Sequence, residues 1–307
     1  MYKPFFIKNS KLWYLFSTTL IVIGLIFMAQ KYFITGSPFN LGIDFTGGTS
    51  ILVQLDSAEK MFKEKGELTT VFRNNVILAI TNTLAEQNIK HMQVTTLEKK
   101  YFAIKTSVIP NEKVTIIINS LKEKLGKLTV LESDYIGPTI GKELQTQAVY
   151  IIVVAIFLLL IYITFRFELW MAIAAILALL HDTLITIGLA SILNVEVDTS
   201  FVAAILTILG YSINDTIVIF DRVRENLKSM QADTDITTIA ETSIWQTLTR
   251  SINTVATVLI VLTCILLFGG ASLKDFSLVM LIGIFFGAYS SIFIASPLLV
   301  MFKKWAE

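Results

Sequence analysis

The sequence predicts a polytopic α-helical membrane protein with six transmembrane helices and an α+β domain between the first helix and the second. Three observations carry this. The chain of 307 residues is 54% hydrophobic and only 16% charged, whereas soluble domains carry about 25% charged residues. Six apolar runs are long enough to cross a bilayer, which takes about 20 residues of helix. Between the first and second runs lies a stretch of ordinary polarity, roughly 90 residues long, which suffices for a modest core.

Composition also excludes several classes. A net charge of +1 argues against a nucleic-acid partner. The single cysteine, Cys264, sits in an apolar run, and the two histidines are His91 and His181. Neither a disulfide framework nor a thiolate or histidine-rich metal site is expected. No metal, cofactor or catalytic constellation is read from the residues, so an enzyme is not expected. The start of the chain lacks a signal-peptide pattern and reads as a retained first span.

In chain order, residues 1–11 carry Lys3, Lys8 and Lys11, which places them on the cytoplasmic side by the positive-inside rule. The first span occupies 12–33, with Trp13, Tyr14 and Tyr32 as interfacial anchors. Residues 34–143 form the extracytoplasmic domain. It opens on LGIDFTGGTS at 41–50. There Gly47-Gly48 marks a tight turn or a close backbone approach, and Asp44 reads as a turn residue. A phosphate-binding loop would need a Gly-Lys-Ser/Thr ending, which is absent, so an ATPase is not expected.

Alternation and helical periodicity then give a strand at 49–55, a helix at 68–86, a hairpin of strands 91–97 and 101–108 turning at 98–100, a helix from Pro110-Asn111 to Gly126 and a strand at 128–135. Asn111 reads as the N-cap of that second helix. The order β-α-β-β-α-β is that of a ferredoxin-like split βαβ unit. His91 has no local partner and reads as a surface residue. The segment 135–139 reads as a turn back to the membrane.

The remaining spans fall within 144–304, at 144–165, 169–193, 199–220, 248–268 and 276–302. The connection Arg166-Phe167-Glu168 is so short that spans two and three must be antiparallel neighbours. Residues 221–246, with Arg222, Arg224 and Lys228, read as a polar cytoplasmic connection, partly helical and on the surface. Gly283 and Gly287 form a small-xxx-small pair that permits close helix approach. Tyr289, Ser290 and Ser291 add polarity deeper in the last span. Lys303 and Lys304 put the carboxyl end on the cytoplasmic side as well.

The stretch 208–225, ILGYSINDTIVIFDRVRE, carries the chemistry. Asp221, Arg222, Arg224 and Glu225 mark its exit from lipid, and Asp215 lies roughly 9 Å inside that point at helical rise. A carboxylate near a helix centre costs about 2.5–3.5 kcal/mol, so it should face the bundle or water. Tyr211 and Ser212 share its face, and Asn214 lies alongside. In the fifth span Arg250 is followed at helical spacing by Asn253, Thr254 and Thr257. Asp215 and Arg250 are the best candidate pair, with the polar stripe able to hold water beside them. His181-Asp182, about 20 Å from Glu168 along the third span, reads either as an outer station on a proton path or as a polar pair bonded to neighbouring helices. A structural ion pair that fixes packing is the alternative for Asp215.

Six motifs resemble the SecF family of protein-export membrane subunits, in the resistance–nodulation–division superfamily. They are LGIDFTGGT (41–49), YIGPTIGKEL (135–144), Arg166-Phe167-Glu168 with ALLHD (178–182), ILGYSINDTIVIFDRVREN (208–226), RSINT (250–254) and GIFFGAYSSIFIASP (283–297). The resemblance implies a bacterial cytoplasmic-membrane protein that pairs with SecD and associates with the SecYEG channel, and with YajC and YidC. It implies use of the proton gradient to promote translocation and release of exported polypeptide. It also implies a proton path through Asp215 and Arg250 and a moving outer domain; Asn214, Thr254, His181 and Asp182 are further proton-path candidates from the reading of the residues above. A non-transporting scaffold of the translocase, or half of a small-molecule exporter, are the competing readings.

Overall fold

The computed structural model describes residues 5–89, 92–97, 101–230 and 234–306. The expected surface His91 and the hairpin turn at 98–100 lie outside the described residues. The chain divides into two units. One runs Leu41–Ala148; the other joins the residues up to Asn40 with those from Val149 onward.

The first unit is α+β. Its strands are β1 (Gly48–Leu55), β2 (Met92–Leu97), β3 (Tyr101–Thr106) and β4 (Leu128–Ile136). Its longer helices are α1 (Asp56–Lys65), α2 (Thr70–Glu86) and α3 (Asn111–Leu125), and a single helical turn at Ile43–Thr46 holds Asp44. The sheet order is β2-β3-β1-β4, and every neighbouring pair is antiparallel, with Ile51 opposite Ile104 and Ser50 opposite Asp134. Alternate residues of β1 — Thr49, Ile51, Val53 and Leu55 — are buried, as a half-buried strand requires. They meet Ile80 and Leu84 of α2, Phe102 and Ile104 of β3, and Ile117 and Leu121 of α3 in one apolar cluster.

Local chemistry sets the boundaries. The Thr69 side chain accepts from the Phe72 amide and caps α2, so that helix starts at Thr70 and not at 68. Pro110 occupies the cap position of α3 in extended geometry. Asn111 is therefore the first helical residue, not the cap. Gly126, at φ +83°, closes the helix as expected. Helix α1 was not foreseen, because 56–65 is short and mostly charged; its narrow apolar side is Ala58, Met61 and Phe62, with Ala58 fully buried, and Gly66 at φ +72° closes it. Gly48 shows why a glycine pair opens the domain. At φ +137°, a Cβ there would lie 2.4 Å from the Thr106 carbonyl oxygen.

The other unit is a helical bundle. Among the described residues, six helices are long and apolar enough to cross a membrane: Ser10–Thr35, Pro138–Arg166, Leu169–Ile192, Thr199–Ser229, Ile236–Phe268 and Ser272–Ala306. They are called spans one to six. Within the chain, 56%, 50% and 56% of spans three, four and six are buried, against 11% of the others, so three helices form the packed centre. Close approach depends on missing side chains. Gly24 of span one abuts Gly188 of span three, where an added Cβ would lie 3.0 Å from the Gly188 Cα. Gly287 of span six lies against Ser212, and Gly283 against Ile208, both on span four.

Three features depart from expectation. Span two begins at Pro138, directly after β4 and Gly137, so 135–139 is not a free turn; proline suits the first helical position because its missing N–H is unpaired there anyway. The segment 221–246 is helical to Ser229 and again from Ile236, and Val223, Asn226, Ile239, Ala240, Glu241, Ser243 and Ile244 are buried, so much of it is packed and not on the surface. Span six contains a π-helical turn at Ser291–Ala295, where the Ser296 hydroxyl donates to the Ser291 carbonyl at 2.9 Å.

Two outcomes test this architecture. Gly283→Ala forces a Cβ to 2.2 Å from Ile208 Cδ1 and should lower thermal stability by about 1–3 kcal/mol; adding Ile208→Ala should restore most of it, and an unrescued loss refutes the contact. In the α+β unit, burial and then the nearby Glu132 and Asp44 charges push the Asp134 carboxyl above its ordinary 3.8. The folded state then holds that proton more tightly than the unfolded chain, so stability falls as pH rises from the ordinary value through the folded one. Asp134→Asn should raise the melting temperature at pH 7, with the difference vanishing below pH 3.8.

Candidate functional site

Span four lays Ile208, Ser212, Asp215, Thr216 and Ile219 on one buried face, at the three- and four-residue spacing of a helix. Facing them are Asp182 of span three and the π-turn of span six. Asp182 is fully buried, and its carboxylate is well supplied with donors. Oδ1 pairs with His181 Nδ1 at 2.8 Å. Oδ2 accepts from the hydroxyl of Ser212 and from that of Ser290 at 2.7 Å. One helical turn along, the hydroxyls of Thr216 and Ser291 bond at 2.8 Å, and Ser291 also donates to the Gly287 carbonyl. The π-turn places Ser290 and Ser291, adjacent in sequence, on two different residues of the neighbouring helices. Such single-turn irregularities concentrate at functional sites.

His181 stacks on Tyr289, with ring centroids 6.3 Å apart. Its Nε2 is buried without a hydrogen-bond partner among the described residues. The Tyr289 hydroxyl donates to the Trp13 carbonyl and accepts from Ser17, which ties span one to the same network.

Asp215 is different. It is 6% exposed, and no described residue gives it a hydrogen bond or an ion pair. It faces a crevice of about 10 Å³ lined by Tyr211, Asn214, Thr254 and Ala288, roughly the room that one water needs. Arg250 attracts its carboxylate electrostatically without touching it. Arg250 opens instead on a larger groove of about 510 Å³, shared with Asp221, Arg222, Glu225 and Gln246. Asn214 lines both spaces and so stands between the groove and the acid. Beside the groove, Arg166 and Arg224 both pair with Asp221, at 2.6 and 3.1 Å.

Of the residues singled out in the sequence, Asp215, Asn214 and Thr254 share one crevice, and Arg250 borders the next. Asn253 and Thr257 are exposed and do not line it. His181-Asp182 is bonded to the neighbouring helices through Ser212 and Ser290. Its bond to Ser212, three residues before Asp215, brings it to about 5 Å of Asp215 in height along the bundle. Thr216, and the roles of Ser290 and Ser291, were missed, because nothing in the sequence marks a π-turn. Among the described residues, no three His, Cys, Asp or Glu groups are placed to hold a metal.

Comparison with known proteins adds the family. Residues 116–305 match the model of the protein export membrane protein SecD/SecF C-terminal region, and residues 32–59 match the SecD/SecF GG motif. The chain is 36% identical over 303 residues to the protein translocase subunit SecF of Sebaldella termitidis, covering 98% of this chain and 92% of that one. To SecF of a Synechocystis species it is 38% identical over 309 residues, with 97% and 94% covered. The crystal structure of SecDF from Thermus thermophilus, described as a translocon-associated membrane protein, superposes with a TM-score of 0.81 at 33% identity. That alignment covers 99% of this chain and 40% of the longer SecDF chain.

The donors around Asp182 can be tested singly. Removing either Ser212 or Ser290 as alanine leaves a buried carboxyl short of one donor and should cost about 1–3 kcal/mol. The double variant should be non-additive, since both hydroxyls meet the same oxygen. Thermal unfolding in detergent reads this, and two silent variants would refute the network.

Proposed function

The chain belongs to the SecD/SecF family of protein-export membrane proteins, and from that premise we propose that it is a SecF subunit that pairs with SecD and uses the proton motive force to drive translocation. A role in protein translocation follows from the SecF and SecDF relatives. The observation that carries the finer reading is the state of Asp215: a buried carboxylate with no bonded partner among the described residues, beside a water-sized crevice, one residue from a polar groove.

Such a group gains or loses a proton at a cost set by its surroundings, and each state favours a different arrangement of helices. Ionised, Asp215 is drawn to Arg250; protonated, it is not. A ligand shifts a conformational equilibrium only through differential affinity for the two states, and here the ligand is the proton. Asn214 and Thr254 line the route for a water that delivers it, with His181-Asp182 as a second polar station on the neighbouring helix. In this reading the chain is a proton-driven motor subunit and not an enzyme.

The α+β unit, with its βαββαβ strand connectivity and β2-β3-β1-β4 order, is a ferredoxin-like domain on the extracytoplasmic side that couples proton flow to movement of the exported polypeptide. Both ends of the chain lie at the cytoplasmic face of the bacterial inner membrane, where Arg166, Arg222, Arg224, Lys303 and Lys304 collect. The mostly exposed spans one, two and five leave apolar area for SecD and lipid. SecYEG, with YajC and YidC, completes the assembly. SecDF fusions such as that of Bacillus subtilis, of which the chain covers 38%, support the pairing with SecD.

The test is gradient-dependent export in membrane vesicles. Asp215→Asn and Arg250→Met should each abolish the stimulation that a proton gradient provides while SecD still co-purifies. Full stimulation in both variants would instead favour a scaffold whose polar residues only fix packing.

A further inference from the structure

Glu241 lies five residues into span five, in a segment whose sequence reads as polar surface. It is nevertheless 2% exposed. Its carboxylate meets no cation among the described residues and accepts instead from three consecutive backbone amides. Oε1 accepts from Phe5 N at 2.8 Å and Phe6 N at 3.1 Å; Oε2 accepts from Phe6 N and Ile7 N, both at 3.1 Å. Convergent backbone N–H groups form an anion-binding concavity. Here the anion is the chain's own side chain, and the donors belong to the segment that leads into span one. A carboxylate is retained at such a depth only when its lone pairs are satisfied, and these amides satisfy them.

The segment so held is packed, not merely tethered. Phe6 is 5% exposed and lies against Trp245 and Phe293, with ring centroids at 5.2 and 5.5 Å. The Trp13 indole N–H donates to the Phe6 carbonyl and its ring contacts Phe293 at 4.5 Å. Phe293 is the central residue of the π-turn and stacks on Tyr289 at 5.0 Å. That turn and its flank supply Ser291 to Thr216 and Ser290 to Asp182. A continuous set of contacts therefore runs from Glu241 through Phe6 and Phe293 to the hydroxyls that hold the polar core.

We propose that Glu241 is a positioning residue of that core: by clamping the backbone of residues 5–7 it seats Phe6 against Phe293 and so holds the π-turn serines on Asp182 and Thr216. The functional consequence rests on the proton-handling reading above; the mechanical coupling does not. Because the partners are backbone amides, substitutions at 5–7 that preserve packing leave the clamp intact, whereas Glu241 itself is required as an anionic acceptor with two oxygens.

Hydrogen exchange by mass spectrometry on the full chain in lipid nanodiscs reads the coupling, and gradient-dependent export in vesicles reads its consequence. Glu241→Gln should speed exchange at 5–9 and also across the π-turn by about tenfold, the scale of a lost charge-assisted bond, while β1 and β3 stay unchanged. Export should fall severalfold, and Glu241→Asp should recover more of both than the amide does. Phe6→Ala, which keeps the clamp but removes the buttress, should loosen the π-turn alone, and it decides the matter if the Glu241 variants fail to fold. A freed 5–9 segment with an unchanged π-turn overturns the coupling. A loosened π-turn with undiminished export overturns the positioning role, and leaves the Asp215 reading to its own variants.

Discussion

A carboxylate taken into an apolar helical bundle must be given donors, a cation or a proton, because its hydration is worth several kcal/mol that the interior does not replace. Three acids of the membrane unit meet this constraint in three ways. Asp182 takes side-chain donors from His181, Ser212 and Ser290. Glu241 takes backbone amides from residues 5–7. Asp215 takes neither from any described residue; it has the distant attraction of Arg250 and a crevice the size of one water. The first two arrangements are complete and favour a fixed structure. The third is incomplete among the described residues, and the proposed proton role rests on that difference.

The packing around these acids allows so polar a centre to exist. Spans four and six approach closely because Gly283 and Gly287 present no side chain to Ile208 and Ser212. That proximity puts Ser212 and Ser290 on the same Asp182 oxygen. The π-turn adds a residue to span six and turns adjacent serines toward different partners. Aromatic rings fill the remaining space from Phe6 through Phe293 and Tyr289 to His181. Hydroxyls, glycines and rings thus form one connected interior, so a change in the charge of one member can be felt by the others.

The α+β unit obeys a different logic. Its core cluster among the described residues is apolar, and its sheet is read from alternation in β1 and from the antiparallel registers on both sides of it. The Gly47-Gly48 pair allows close backbone approach, Gly47 to Pro138 and Gly48 to the Thr106 carbonyl.

The sequence by itself determined the number and order of the spans. A bilayer accepts only helices that satisfy their own backbone, so long apolar runs admit one local solution. It also determined the strands and two of the three helices of the α+β unit, through periodicity, and singled out Asp215 by its depth. Helix α1 escaped because its apolar side is only Ala58, Met61 and Phe62 among many charges, too short a run to stand out. Only the tertiary structure decided which helices touch. It brought Asp182 level with Ser212, set Arg250 near Asp215 without contact, and buried Glu241 under a segment more than 230 residues away. These are long-range contacts through hydroxyls, glycines and backbone amides, groups whose local sequence is the same whether they face lipid, water or one another.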